Sequence, residues 1–249
     1  MTKLVLPSGI GDILWALMTL DPKKTYEVEI CKSTPKRGKQ ILDLMPKSFI
    51  GESYYSQEKR YPNDCTYSIN AHLEAGLRIE EFNGNCNYDL PFVLPKGRPP
   101  FLKKADKVYI GIYTSSISAN KRWNGWSAED WKYLIELIKE TTPNAVFVGI
   151  GAEYDNLMDN IDFDITLRGE SLGKVIKAIK NLDCMIGFPS GIPILSEYFK
   201  VKTFMFFPDK LDKMQNSFCR KESIGNIWKG CRFTSPEKAH KWINSNWNI

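Results

Sequence analysis

Cys184-Met185-Ile186-Gly187-Phe188-Pro189-Ser190-Gly191-Ile192-Pro193 is the stretch whose reading decides the fold. The run from Cys184 to Phe188 is almost wholly apolar, as expected of a strand buried on both faces in a parallel sheet. Pro189-Ser190-Gly191 breaks that run and opens a helix. Pro193 then falls in the first helical turn, where its missing N–H costs little. A strand passing through a glycine turn into a helix is the repeating unit of an α/β sheet.

The same grammar extends on both sides. Thr203 to Phe207 reads as the next strand, with a helix over Gly191 to Phe199 between the two. Upstream, Val108 to Tyr113 and Ala145 to Ile150 are further buried strands. Ser127 caps a helix whose Trp131, Leu134, Ile135 and Ile138 recur at i, i+3, i+4, i+7, and Asp130 completes a capping box. Ser171 caps another, with Leu172, Val175, Ile176 and Ile179 on one face. Alternating strands and helices predict a doubly wound sheet.

The first hundred residues repeat the pattern less regularly. Lys3 to Pro7 reads as a strand, Ser8-Gly9-Ile10-Gly11-Asp12 as a glycine-rich turn, and Ile13 to about Leu20 as a helix. Tyr26 to Cys31 is a second strand and Lys39 to Met45 a helix. Gly51 to Asp64 shows no period and is expected to be irregular. Thr66 to Asn70 reads as a short strand, and Ala71 to Phe82 as a helix stopped by Asn83-Gly84-Asn85. Five prolines or glycines between Pro91 and Pro100 suit a linker. The expected units are therefore 1–100 and 101–234. Ser235-Pro236-Glu237 opens a final helix over 235–249, read as packing back on the first unit.

Composition bounds the function classes. The chain has 249 residues, of which 43% are hydrophobic and 25% charged, ordinary values that exclude a disordered tail or a fibre. The longest apolar stretch, Ile10 to Leu20, is interrupted by Gly11 and Asp12 and is too short to span a bilayer. Met1-Thr2-Lys3 runs straight into Leu4-Val5-Leu6 without a signal-peptide pattern, so a cytoplasmic location is expected. The net charge of +5 is mild and suits an anionic small molecule or a nucleic acid. The densest basic run is Lys32 to Lys39, interrupted by Pro35 and Gly38. The six cysteines show no CxxC pair and there are only two histidines, so no zinc site is expected and the thiols are read as reduced.

Four loops at strand ends carry chemistry-bearing residues. Ser8-Gly9-x-Gly11-Asp12 offers free helix N–H groups and a carboxylate, either as plain helix stabilisation or as a general base for a bound hydroxyl. Lys121 and Arg122 follow the first strand of the second half and could neutralise a diphosphate, beside Trp123 and Trp126 as interdomain packing residues. Gly149-Ile150-Gly151-Ala152-Glu153 frees the backbone, and Glu153 could accept both hydroxyls of a ribose. Ser190 and the N–H groups near Gly191 could bind phosphate oxygens.

In that order the motifs resemble glycosyltransferase family 9, the lipopolysaccharide heptosyltransferase-like group. The resemblance spans nearly the whole chain and is best from Val108 to Pro208. It implies a GT-B fold, two Rossmann-like doubly wound α/β domains facing a cleft, and an inverting, metal-independent transfer from a nucleotide-sugar donor, with no further cofactor. By that resemblance Asp12 matches the base, on an acceptor-side loop with Ser8, Gly9 and Gly11. Lys121 matches the lysine on the donor diphosphate, with Arg122 helping. Glu153, beside Gly149 and Gly151, matches the acidic residue near the donor nucleoside, and Ser190 and Gly191 match the phosphate-binding helix. Phe188 and Pro189 stand where the family has Asn-Asp, and Ile194 stands where it has His, so the donor pocket differs. Reduced relatives resemble bacteriophage enzymes, which would work in a host cytoplasm, and some of that kind glycosylate hydroxymethylated bases in DNA. The acceptor is thus either a glycan or DNA. Oligomeric state is left open.

Two other classes compete. A dinucleotide-dependent oxidoreductase would use Gly9-x-Gly11 with Glu27 or Glu29, but the third glycine of its fingerprint is replaced by Leu14. A non-catalytic nucleic-acid-binding protein would rest on charge and on the 12% aromatic content, although acidic residues interleave with the basic ones.

Overall fold

The computed structural model describes residues 1–31, 37–57, 65–67, 77, 81, 84, 86–114, 126–207, 231–232 and 235–246. They form two parallel sheets. In the first, β1 (Thr2–Leu6), β2 (Tyr26–Ile30) and β3 (Ile50–Tyr55) lie side by side in chain order. The second sheet contains β4 (Val108–Tyr113), β5 (Ala145–Gly151), β6 (Ile165–Arg168), β7 (Cys184–Gly187), β8 (Lys202–Phe207) and β9 (Cys231–Arg232). Its spatial order is β6-β5-β4-β7-β8-β9 with every pairing parallel. Counted from its own first strand, that is the 3-2-1-4-5-6 order of a doubly wound sheet. The order reverses between β4 and β7, and the carboxyl ends of those two strands define the ligand crevice of such a sheet.

Helix α1 (Ile10–Met18) follows β1 and begins three residues earlier than the sequence pattern suggests. Every residue from Ile13 to Met18 is buried, because the helix is covered on more than one side. A short α2 (Lys39–Leu42) follows β2. In the second half α3 (Ala128–Thr141) starts at Ser127, whose hydroxyl accepts the Asp130 N–H while Asp130 accepts the Ser127 N–H, completing the expected capping box. Its stripe of Trp131, Leu134, Ile135 and Ile138 is buried, as the spacing requires. Then come α4 (Leu172–Ile179) and α5 (Gly191–Tyr198). Ser171 stands at the start of α4 without a side-chain capping bond. The Leu172 N–H donates instead to Gln40 Oε1 of the first half, at 2.9 Å.

Three expectations are corrected. The stretch expected to be irregular contains β3. It has no clean alternation because only Ile50 is fully buried; cross-strand contacts hold it, with the Tyr54 hydroxyl donating to Glu27 at 2.8 Å. A strand that the sequence pattern does not show, β6, lies at the far edge of the second sheet with Leu167 as its buried side chain, preceded by a 3-10 turn over Asn156–Asn160. The last helix, α6 (Pro236–Asn246), packs on α3 of the second half rather than back on the first. Ala239 and Ile243 are buried, and the Trp242 ring meets Phe204 edge-on at 5.2 Å.

Residues 91–100 carry no helix or strand, as expected of a linker, but they are docked. The Leu90 N–H donates to the Tyr198 hydroxyl at 2.8 Å and the Val93 N–H to the Leu44 carbonyl at 2.7 Å. Phe92 lies against Tyr198 and Phe199, and Lys177 donates to the Gly97 carbonyl. Of the expected strand at Thr66, the Thr66 N–H and hydroxyl clasp the backbone of Val5 on β1; most of Ala71 to Phe82 lies outside the described residues. Cys31 and Cys184 are buried free thiols, and the sulfurs of Cys31 and Cys65 lie 3.2 Å apart. No helix among the described residues is long and apolar enough to cross a membrane.

Candidate active site between the two sheets

The carboxyl ends of the two sheets face each other. The helix that follows β1 and the helix that follows β7 meet at their N-terminal ends. A Cβ built on Gly191 would stand 2.9 Å from Ile10 Cβ and 3.1 Å from the Gly11 nitrogen. One built on Gly11 would stand 3.4 Å from the Gly191 Cα. At Gly191 a side chain would press on the backbone of α1, whereas at Gly11 it would meet first the tip of Ile194. Two helix N-termini, each with N–H groups that have no partner within the helix and with a positive dipole end, therefore converge at the switch point of the second sheet.

Asp12 sits in the first turn of α1, half-buried, with its Oδ2 2.5 Å from the Cβ position of Gly9. Its carboxylate thus lies over the start of its own helix, where the macrodipole favours negative charge. Ser8 and Gly9 form the turn before it, and Gly9 takes the N-cap position without a side-chain bond. The glycine that would serve a dinucleotide pyrophosphate, Gly11, is covered by Gly191 and Ile194. That close packing accounts for the glycine without a nucleotide.

Across the junction Ser190 holds the N-cap of α5 in extended conformation, with no capping bond to its own helix. Its hydroxyl is within hydrogen-bonding reach of the Tyr113 hydroxyl at the end of β4. Burial pushes the Tyr113 phenol up to about 12; the Ser190 hydroxyl and Arg37 pull it down, while Tyr154 and Asp155 push it further up. Tyr113 is therefore a neutral hydroxyl at every ordinary pH. Beside it the Thr114 hydroxyl donates to Asp155 at 2.8 Å, both residues buried.

Gly149 and Gly151 are placed differently from the expectation of an open backbone. Gly149 is capped by the Phe163 ring and Gly151 by Met158 and Asp155, so both make room for packing within the sheet. Glu153 lies just beyond, with an exposed side chain, and its carboxylate pairs with Arg37 of the first half. Arg168 fixes the turn carrying Glu153 by donating to the Glu153 carbonyl at 2.9 Å while pairing with Asp159. Lys121, Arg122 and Trp123 lie outside the described residues; Trp126 is a packing residue, but in an aromatic cluster with Trp131, Phe188 and Phe206 inside the second half rather than between the two units.

The sequence pattern singles out neither Tyr113 nor Arg37. Tyr113 is the last residue of an apolar strand run and carries no motif. Arg37 belongs to the densest basic run of the chain, immediately before a glycine, and that was the available signal. Among the described residues no group of three or more His, Cys, Asp or Glu stands together as a metal site would.

No protein-family model matches the sequence, and no curated protein matches it. Solved structures do. ADP-heptose lipopolysaccharide heptosyltransferase II of E. coli superposes with a TM-score of 0.63 over 98% of this chain and 98% of that one, at 10% identity. A family 9 glycosyl transferase of Veillonella parvula gives 0.60 over 98% and 96%, at 13% identity. E. coli heptosyltransferase WaaC with ADP gives 0.57 over 99% and 100%, at 12% identity. At such identities the likeness is one of fold, and in fold this chain is similar to the family 9 glycosyltransferases, with their GT-B architecture over nearly its whole length.

Proposed function

We propose that the chain is a glycosyltransferase that moves a sugar from a nucleotide-sugar donor to an acceptor hydroxyl with inversion and without a metal. The observation that carries this reading is the meeting of α1 and α5 at Gly11 and Gly191, which brings the carboxylate of Asp12 and the anion-binding start of α5 to one junction. In this reading residues 1–100 receive the acceptor and 101–234 hold the donor.

The reaction is a single in-line displacement at the anomeric carbon. Asp12 accepts the proton of the acceptor hydroxyl as its oxygen forms the new bond. The bond from the anomeric carbon to the β-phosphate oxygen breaks, and its electrons leave with the diphosphate. Ser190 and the amides that open α5 receive that growing charge, with Lys121 and Arg122, so they stabilise the transition state more than the ground state. Tyr113, a neutral phenol at the end of β4, stands within reach of that hydroxyl and can orient it. The ADP bound by a neighbour of the same fold makes an ADP-sugar the first donor to try, and a glycan hydroxyl the first acceptor.

Thermal-shift screening against ADP-, UDP-, GDP- and CMP-sugars tests the reading, since a ligand of the native state raises the melting temperature by mass action. The bound donor is then used to assay transfer. Asp12→Asn should keep donor binding and lower turnover by about 10²- to 10⁴-fold. Absence of any nucleotide-sugar binding, or full turnover in Asp12→Asn, overturns it.

A further inference from the structure

Resting on the glycosyl-transfer reading, we propose that Arg37 is a ligand of the donor diphosphate, supplied by the first half and held by Glu153 while the donor is absent. Arg37 follows β2, so it rises from the carboxyl edge of the first sheet. The next residue fixes it there: a Cβ on Gly38 would strike the Ser8 carbonyl and Ile13, so the backbone presses directly on the turn that carries Asp12. The guanidinium crosses to the second half and pairs with Glu153 through one terminal nitrogen. Its field also reaches Tyr113 at the end of β4 and Tyr154 in the turn after β5.

Two features mark this pair as more than a strut. The Arg37 side chain is only 20% exposed and its Nε is buried with no hydrogen-bond partner among the described residues. A guanidinium offers five donors in a rigid fork suited to phosphate oxygens, and an idle buried one is costly. Glu153 is the opposite: its side chain is 62% exposed, and it can exchange partners cheaply. When ribose hydroxyls take the Glu153 carboxylate, the arginine loses its counter-ion beside the position of the diphosphate, which then replaces it. Donor binding is thus an exchange of anions on one stationary cation.

The two partners then have opposite effects on anion binding, which a structural ion pair would not. The full-length protein is titrated calorimetrically with inorganic pyrophosphate and with ADP, UDP, GDP and CDP, as wild type, Arg37→Gln, Arg37→Lys and Glu153→Gln, after melting curves confirm folding. Arg37→Gln should weaken the nucleoside diphosphate that wild type binds by about 10- to 100-fold, with Arg37→Lys between. Glu153→Gln should tighten pyrophosphate, because it removes the competing carboxylate. Equal or same-direction changes in pyrophosphate affinity in Arg37→Gln and Glu153→Gln overturn the assignment of Arg37 and leave glycosyl transfer intact. Failure of wild type to bind any nucleoside diphosphate overturns both.

Discussion

The Gly11 amide nitrogen and the Gly191 Cα face each other with no side chain between them, and a single methyl on Gly191 would come within 3.1 Å of that nitrogen. The obstruction is not symmetric. On Gly191 the methyl also meets Ile10 Cβ, which is tied to the backbone of α1, whereas on Gly11 it meets the tip of Ile194, which can turn away. Gly191→Ala should therefore cost about 1–3 kcal/mol by forcing α1 and α5 apart, and Gly11→Ala clearly less. Urea denaturation of both variants checks the order, and equal costs would disprove the backbone-to-backbone contact.

Tyr113 makes a pH prediction. Its phenol is raised to about 12 by burial, from an ordinary value near 10. As pH climbs, the unfolded chain gives up this proton first. The contribution is complete below about pH 10 and is lost towards pH 12, roughly 3 kcal/mol for two units. Tyr113→Phe abolishes that loss. Its stability should fall less steeply than that of wild type between about pH 9 and pH 11.5, and identical slopes in a urea series would refute it.

Trp131 is fully buried among Trp126, Phe188 and Phe206, yet its indole N–H has no hydrogen-bond partner. Its contribution is volume, not polarity. Trp131→Ala should destabilise by about 3–5 kcal/mol, and Trp131→Phe by much less, since it also removes an unsatisfied buried donor. A loss in Trp131→Phe as large as in Trp131→Ala would show that the nitrogen matters.

Lys200 ends α5 with a φ of 62°, a left-handed conformation that glycine adopts without penalty. The Lys200 N–H donates to the Glu197 carbonyl and the Val201 N–H to that of Ser196, closing the helix end. Lys200→Gly should raise stability by up to about 1 kcal/mol, read from the urea midpoint. A fall would mean that the lysine side chain does more there than its backbone costs.

What the sequence reveals follows from how each element is held. The apolar runs of β4, β5, β7 and β8 and the capping box at Ser127 are legible because burial on both faces and local hydrogen bonding leave a pattern in consecutive residues. Strands β3 and β6 leave none: each is the last strand described on its side of a sheet, with one fully buried side chain, and is fixed by pairing with a distant neighbour. The site divides in the same way. Asp12, Ser190 and Gly191 belong to glycine turns at strand ends, so their place at helix starts is legible, whereas Gly149 and Gly151 look like ligand loops and turn out to accommodate Phe163 and Met158. Arg37 and Tyr113 gain meaning only when β2 and β4 are set against residues more than a hundred and nearly eighty positions away.

The docked segment from Leu90 to Gly97 touches Leu44 on one side and Tyr198, Phe199 and Lys177 on the other. Together with the Gln40 amide oxygen that caps α4, it binds the halves along one seam, like the spine of a book. The Gly11–Gly191 contact and the Arg37–Glu153 pair join the halves at further points, so an opening about that seam has to break both. A nick introduced after Gly97 would leave two fragments that copurify, each covering apolar surface the other cannot leave bare.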